Sequence, residues 1–263
     1  MTLALLDEPC SMSNAHTDLP MNTYTLSARG KKKDEPIFHF LRTNFGNLPL
    51  ERIESIFGFV EKSSLYGGRI FEGRQLSERD VYQLNNAGIG LRIPFTNHFV
   101  DRDEYETAKP LLEKYHRQIN SVIVTNDDLA EWIKEDFPHY DVEASVIKNI
   151  NTMKKLEKAL PYYNTVVLPM TSNNDMGFLE AIVDKNRIRL FANAGCALTC
   201  PSRICYRSVS KINKFRGGEW QCSQPLKDRD IKGMIDFDIA PLNRLGYHRF
   251  KLLRARPGNM TGY

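Results

Sequence analysis

Residues 121–147 read SVIVTNDDLAEWIKEDFPHYDVEASVI and hold the pattern that decides the fold. Two short apolar, β-branched runs, Ser121–Thr125 and Val142–Ile147, flank an amphipathic stretch, Asp127–Asp136. An aspartate ahead of Leu129 is a suitable helix N-cap. Short apolar runs are typical of buried strands, and a longer amphipathic stretch is typical of a helix. The segment therefore predicts a β-α-β unit with parallel strands joined by a right-handed crossover.

The same alternation continues on both sides of this unit from residue 35 onward. We predict strands at Ile37–Thr43, Ser64–Ile70, Ile89–Pro94, Ser121–Thr125, Val142–Ile147, Thr165–Leu168, Arg187–Ala192 and Arg249–Leu253. We predict helices at Leu50–Lys62, Ser77–Ala87, Asp101–Arg117, Asp127–Asp136, Asn151–Leu160, Asn174–Asp184 and Asp238–Leu245. Eight apolar strands that alternate with helices favour an α/β fold of the (β/α)8, TIM-barrel type over an open sheet.

Length and composition agree with this architecture. The chain has 263 residues, 41% hydrophobic and 26% charged, which is the size of one α/β barrel and excludes a collagen-like, wholly disordered or disulfide-knotted chain. We predict a flexible, disordered or loosely packed arm over residues 1–34 and a single barrel domain over residues 35–263, with a cysteine-rich loop at 194–222. Only Arg254–Tyr263 follow the last predicted strand, so the barrel lacks its eighth helix. The arm or a second subunit covers that flank, or the barrel is partly open there.

The sequence also bears on location and partners. No apolar run approaches the length that spans a bilayer, and the start of the chain lacks the basic region of a secretory signal. We therefore expect a cytoplasmic protein with no membrane association. From Pro201 onward there are 13 Lys and Arg against 5 Asp and Glu, although the whole chain carries only +4. An anionic partner would dock at this basic end.

Four of the five cysteines, Cys196, Cys200, Cys205 and Cys222, follow the seventh predicted strand. In a chain without a secretory signal, such a group indicates a metal before it indicates disulfides. The spacing C-x3-C-x4-C-x16-C matches neither the paired C-x2-C of structural zinc sites nor a ferredoxin. Four thiolates suit Zn²⁺ or an iron–sulfur cluster, and the alternative is a set of buried thiols without a ligand. The fifth, Cys10, lies in the arm, and we expect it to be a free thiol.

Polar residues near the carboxyl ends of the predicted strands are candidates for substrate contact, because active groups of such barrels collect there. The candidates are Arg42, Arg69, Asn97, His98 and Lys148. The alternative at each position is ordinary turn or cap chemistry.

Basic residues surround the cysteines. They are Arg203, Arg207, Lys211, Lys214 and Arg216, interleaved with Tyr206 and Phe215. They predict a phosphate or nucleic-acid surface, or else a solvated helix that balances the charge of a thiolate-ligated cluster. Lys251, Arg254 and Arg256 are placed to hold an anion at the barrel mouth or to pair with Asp236 or Asp238.

The segment Asn193–Arg203, NAGCALTCPSR, resembles the cysteine-rich signature of the collagenase-like peptidase family U32. Val122–Ala130 with Val142–Ile150 is similar to consecutive strand ends of that family, and Leu245–Arg254 is similar to its closing block. The resemblance implies a TIM barrel whose four cysteines, Cys196, Cys200, Cys205 and Cys222, hold a 4Fe-4S cluster. Relatives include iron–sulfur proteins needed to hydroxylate RNA bases or a quinone precursor, and others carry a peptidase label.

The peptidase label lacks support in the motifs of this sequence. It contains no H-E-x-x-H or G-x-S-x-G, and its six histidines are dispersed. We therefore expect a 4Fe-4S-dependent enzyme of the redox or hydroxylation type, acting on a nucleic-acid base or a small aromatic substrate. The alternatives are a non-catalytic subunit, stabilised by Zn or a cluster, that binds RNA or a partner enzyme, and a peptidase or other hydrolase. The missing eighth helix predicts a homodimer or a partner enzyme.

Overall fold

Eight parallel strands close into a barrel in the computed structural model, which describes residues 20–46, 48–200, 202–214, 217–224 and 235–253. The barrel strands are β1 (Thr23–Ser27), β2 (Ile53–Phe57), β3 (Gly90–Phe95), β4 (Ser121–Val124), β5 (Asp141–Ala144), β6 (Thr165–Val167), β7 (Ile188–Phe191) and β10 (Arg249–Leu252). They follow one another around the barrel in chain order, and β10 closes it between β7 and β1. Two short strands, β8 (Asn193–Ala194) and β9 (Ile235–Asp236), form a separate antiparallel pair.

Helices follow the strands on the outside of the barrel. They are α1 (Ile37–Phe45), α2 (Glu78–Asn86), α3 (Arg102–Lys114), α4 (Asp127–Asp136), α5 (Met153–Ala159), α6 (Met176–Ala181), α7 (Cys205–Asn213) and α8 (Ala240–Arg244). The first six follow β1 to β6 in turn, whereas α7 and α8 belong to a long excursion between β7 and β10. The predicted TIM-type α/β barrel is confirmed. None of the described helices is both long and apolar enough to cross a membrane.

Two of the predicted strands are wrong, and so is one predicted helix. Ile37–Thr43 lies in α1, because Ile37, Phe40, Leu41 and Phe45 are buried at helical spacing. Ser64–Ile70 lies in the loop between β2 and α2. The predicted helix Leu50–Lys62 contains β2, which places the charged Glu54 at the barrel interior.

Strand β1 lies inside the segment predicted to be a loose arm, so that prediction is wrong for Thr23–Ser27. The sequence TYTLS alternates, and hydroxyl side chains face hydroxyl partners across the strands: Thr25 Oγ1 lies 2.9 Å from Ser55 Oγ of β2. A strand with polar inward positions lacks the apolar run that marks a buried strand. Residues 1–19, including Cys10, and residues 254–263, where the eighth helix is predicted to be missing, lie outside the described residues.

An ionic network lies inside the barrel towards the amino ends of the strands. Arg189 donates to Glu54 through Nη1 and Nη2, at 2.9 and 2.8 Å, and to Glu143 Oε2 through Nε, at 3.0 Å. Arg92 bridges the same two carboxylates, and Arg249 Nη2 lies 2.7 Å from Glu54 Oε1. Burial would raise the pKa of Glu54, but the neighbouring arginines outweigh it and hold that pKa well below its usual range. The network links five strands beneath the mouth of the barrel.

Candidate functional site

A cavity of about 200 Å³ lies at the carboxyl ends of the barrel strands. Phe57, Ile123, Phe191 and Lys251, from four different strands, line its lower part. The loops after β2 and β5 and the segment after β7 line most of the rest. Parallel strands bring their carboxyl ends to one face, so the barrel itself builds this cavity.

All four cysteines of the predicted group line this cavity. Cys196 begins a short 3-10 helix after β8, Cys200 follows in the loop, Cys205 begins α7, and Cys222 lies beyond that helix. Each is partly exposed and free of disulfide bonds. The structure thus brings together the four thiols that the sequence singled out, on the wall of a single cavity.

The thiols influence one another electrostatically. Burial, and after it repulsion from the other three cysteines, raises the pKa of Cys205 to about 12. Burial also acts to raise the pKa of Cys200, but the Ser223 hydroxyl at 3.2 Å, the Arg203 amide at 3.3 Å and the Arg203 charge together lower it. Four thiolates at this wall would therefore need a cationic group among them.

Four thiols are a donor set that suits either Zn²⁺ or an iron–sulfur cluster. Within the described ranges, no three His, Cys, Asp or Glu side chains form a group that could hold one metal ion. A zinc ion needs its sulfur ligands about 2.3 Å away on all sides, whereas a 4Fe-4S cluster takes one thiolate at each of four irons and spreads them apart. Four thiols around one cavity match the second requirement in number and in chemistry.

The cavity is lined by four cations, Arg29, Arg69, Arg203 and Lys251, and by no Asp or Glu among the described residues. Lys251 is only 7% exposed, and its Nζ lies 4.1 Å from the ring centre of Phe57. Burial lowers the pKa of Lys251 to about 8. Glu143 opposes this effect, and Arg189, Arg92 and Arg69 add to it. The cavity floor is therefore a desolvated, electropositive surface.

Of the five residues predicted to contact substrate, Arg69 lines the cavity. Its Nη2 donates to Gln75 Oε1 at 3.1 Å, and its guanidinium lies 4.9 Å from the ring centre of Phe59. Arg42 is exposed on α1, because the strand that was to carry it is a helix, and it does not line the cavity.

The remaining three hold the structure together around the cavity without lining it. Asn97 is fully buried, and its Nδ2 donates to the carbonyls of Ser64, at 2.7 Å, and Ser210, at 3.0 Å. His98 contacts the Ser210 hydroxyl through its amide and Nδ1, and burial lowers the pKa of this histidine. The ammonium of Lys148 donates to the Thr125 carbonyl and forms an ion pair with Asp127 of α4, at 2.7 Å. Asn97 and His98 thus link the strand ends to α7, and Lys148 links the loop after β5 to the start of α4.

The predicted basic surface is divided by the fold. Lys214 is buried, and its Nζ donates to the Phe99 carbonyl at 2.6 Å and pairs with Glu104. Arg203 lines the cavity, and its Nη1 donates to Asn149 Oδ1 at 2.7 Å. Arg207 and Lys211 are exposed on α7, whereas Phe215 and Arg216 lie outside the described residues.

Helix α7 lies over the cavity because its last residue, Asn213, is bonded to the β2–α2 loop. Its Nδ2 donates to the carbonyls of Tyr66, at 2.9 Å, and Arg69, at 2.8 Å, and its Oδ1 accepts from the Phe71 amide. The same loop approaches β3 so closely at Gly67 that a Cβ there would lie 2.1 Å from the Thr96 carbonyl oxygen. The roof of the cavity is thus fixed to its wall.

The sequence predicts only part of the cavity floor. It places Lys251 at the barrel mouth together with Arg254 and Arg256, and these two arginines lie outside the described residues. Within the described part of the chain Lys251 forms no ion pair with Asp236 or Asp238, and Asp238 Oδ1 accepts from the Ala240 amide at 3.0 Å. The signal available in the sequence was a lysine next to the buried Phe250 within a predicted strand.

Comparisons with known proteins support the fold. No family model and no curated protein matches this sequence. Among solved structures, the chain is similar to one described as the U32 peptidase Mk0906, with a TM-score of 0.62, 12% sequence identity and 98% of each chain covered. At this identity the likeness establishes a shared fold. The resemblance to the U32 family is confirmed at that level.

Proposed function

We propose that this barrel with the fold of a U32 peptidase is an iron–sulfur enzyme that carries out a redox modification, such as hydroxylation, of a small aromatic molecule or a single base. The observation that carries the proposal is the arrangement of the cysteines. Four thiols within one excursion of the chain line the same cavity as the ends of the barrel strands. A site for a cluster and a site for a substrate would then share one enclosed space.

Cys196, Cys200, Cys205 and Cys222 would hold the cluster. When bound, such a cluster supplies one-electron transfer at a potential set by its charge, burial and hydrogen bonds.

The residues next to the cysteines supply those hydrogen bonds. The Gln224 amide donates to Cys222 Sγ at 3.4 Å, and Gln224 Nε2 donates to the Cys196 carbonyl at the same distance. The Arg203 amide donates to Cys200 Sγ, and its guanidinium opposes the negative charge of the thiolates. These groups orient the sulfur ligands, and the contacts around Cys200 favour its ionised form.

The remaining lining selects what enters. A cavity of about 200 Å³ has room for a single ring, since an apolar cavity of about 150 Å³ holds benzene. Phe57, Phe59 and Phe191 give the lining aromatic, apolar surface that suits a ring. Helix α7 contributes Cys205 and Tyr206 to the lining. A base would have to enter alone, removed from its stack.

Two alternative functions, a zinc-stabilised binding subunit and a peptidase, make different demands on the site. A Zn-stabilised binding subunit would need the four thiols to converge on one ion. A peptidase would need a base beside a nucleophile, and the described lining contains no His, Asp or Glu to serve as one.

Anaerobic purification tests the proposal through metal content. We expect a brown protein with about four irons and four sulfides per chain, and a dithionite-reduced sample with a cluster signal in electron paramagnetic resonance. Each single substitution of Cys196, Cys200, Cys205 or Cys222 by Ser should lower the iron content, whereas Cys10→Ser, a matched control, should not.

Other outcomes would contradict the proposal in distinct ways. A colourless sample with one zinc per chain favours the binding subunit. Full iron content in the Cys222→Ser variant would show that Cys222 is not a ligand of the cluster. Hydrolysis of a peptide by the metal-free protein favours the peptidase.

A further inference from the structure

We propose that the cavity floor binds a small aromatic anion, whose carboxylate pairs with the ammonium group of Lys251. The proposal deepens the function proposed above by naming the substrate class, and it rests on that function only for the role of the anion as substrate. Binding itself requires the barrel floor and no cluster.

The first observation is a buried ammonium group without a hydrogen-bond acceptor. Lys251 lines the cavity and is 93% buried, yet among the described residues its Nζ has neither a hydrogen bond nor an ion pair. Its described partner is the face of Phe57, at 4.1 Å. Lysines are almost never buried without a charged partner, because an unpaired charge is costly to desolvate. A bound anion would supply the missing partner.

The second observation is the charge around the floor. The described lining carries Arg29, Arg69 and Arg203 besides Lys251, and no carboxylate. Below the floor, the ionic network holds three guanidinium groups, of Arg92, Arg189 and Arg249, against the two carboxylates of Glu54 and Glu143. The field at the floor is therefore positive and favours a negative ligand.

A role for Lys251 as counter-ion to the thiolates is less well supported. The side chains that act most strongly on its charge are Glu143, Arg189, Arg92 and Arg69, and none of them is a cysteine. Arg203 is the cation whose charge acts on Cys200. The structure thus divides the cavity between a thiol wall, served by Arg203, and a floor, served by Lys251.

The shape of the floor selects a flat ligand. Phe57, Phe191 and Ile123 surround the ammonium group with apolar surface, and Pro94 and Phe59 continue it. A ring stacked on these faces can direct a carboxylate at Nζ, whereas the about 200 Å³ of space excludes a polymer from the floor. Monocyclic aromatic carboxylates meet both conditions.

Calorimetric titration tests the proposal with matched acids and amides. Benzoate and phenylacetate are compared with benzamide and phenylacetamide, which have the same shape and no charge. We expect the acids to bind the wild type roughly tenfold to a hundredfold more tightly than the amides. Lys251→Met should abolish this preference, and Lys251→Arg should retain part of it. Lys211→Met, a substitution of an exposed lysine on α7, should behave as the wild type.

The proposal is overturned if neither acid binds, if acids and amides bind the wild type equally, or if Lys251→Met keeps the preference. Inorganic phosphate is a further competitor, and displacement of benzoate by phosphate at equal concentration would overturn the selection of carboxylates. The Cys205→Ser variant separates this proposal from the function above. If Cys205→Ser still prefers the acids, the floor site is supported whatever metal the protein holds. If the wild type holds iron but shows no preference for the acids, the floor site is refuted and the proposed function is not.

Discussion

Replacing Lys251 by methionine measures how much stability the protein loses by keeping a charge at the cavity floor. The pKa of Lys251 falls from its ordinary value of 10.5 to about 8 in the folded protein. Below pH 8 both the folded and the unfolded chain carry the proton, so the whole unfavourable difference is present. At about 1.4 kcal/mol for each pH unit, that difference destabilises the wild type by roughly 3 kcal/mol.

The effect disappears as the pH rises. Between pH 8 and pH 10.5 the unfolded chain binds a proton at Lys251 that the folded chain has released, so stability increases with pH. Methionine does not titrate, and its packing contribution is the same at every pH. From pH 7 to pH 10 the wild type should therefore gain roughly 2 to 3 kcal/mol relative to Lys251→Met.

Urea unfolding of both proteins at pH 7, 8, 9 and 10 measures this gain directly. Titration of other groups cancels in the difference between wild type and variant, and Lys211→Met should track the wild type throughout. A wild-type-minus-variant difference that stays constant over this range, or that falls as the pH rises, would refute the reasoning about the buried amine.

Three further substitutions test the structure around the floor. Arg189→Met removes the bidentate partner of Glu54 and one partner of Glu143, and should lower the free energy of unfolding by about 3–5 kcal/mol in denaturant; an unchanged midpoint would contradict a buried ionic network. Asn213→Ala leaves the Arg69 carbonyl and the Phe71 amide without this partner, while Asn97 still donates to the Tyr66 carbonyl; it should cost about 1–3 kcal/mol and speed amide exchange in α7, so protection equal to the wild type would count against this anchor. Gly67→Ala forces a Cβ against a carbonyl oxygen and should cost about 1–3 kcal/mol and weaken benzoate binding, and wild-type binding in this variant would show that the loop can yield.

The strands from β3 to β7, and β10, could be predicted because each is a short run set between amphipathic stretches, even though Arg92, Glu143 and Arg189 point into the barrel. Strand β1 could not, because TYTLS lies in a polar segment, and β2 could not, because IESIF lies within a longer amphipathic stretch typical of a helix. Glu54 is tolerated inside the barrel because Arg189 lies opposite, and 135 residues separate the two along the chain. A pattern in a short stretch of sequence cannot predict a pair of residues this far apart.

The candidate site divides in the same way. The cysteines were found because they lie close together in sequence and after one strand. The floor was missed because Phe57 and Lys251 become neighbours only when the barrel closes. Among the polar residues at strand ends, Asn97 and His98 use hydrogen-bonding groups to hold α7, a contact that also becomes possible only in the folded barrel.

Strand β7 pairs directly with β10, so the ring of backbone hydrogen bonds is complete without the residues between them. That intervening stretch carries every thiol of the cavity wall. The segment between β7 and β10 therefore supplies the sulfur donors, whereas the barrel strands supply Lys251 and the cavity floor. Insertions, deletions or substitutions in this segment would change the cysteine donors during evolution and leave the barrel closed.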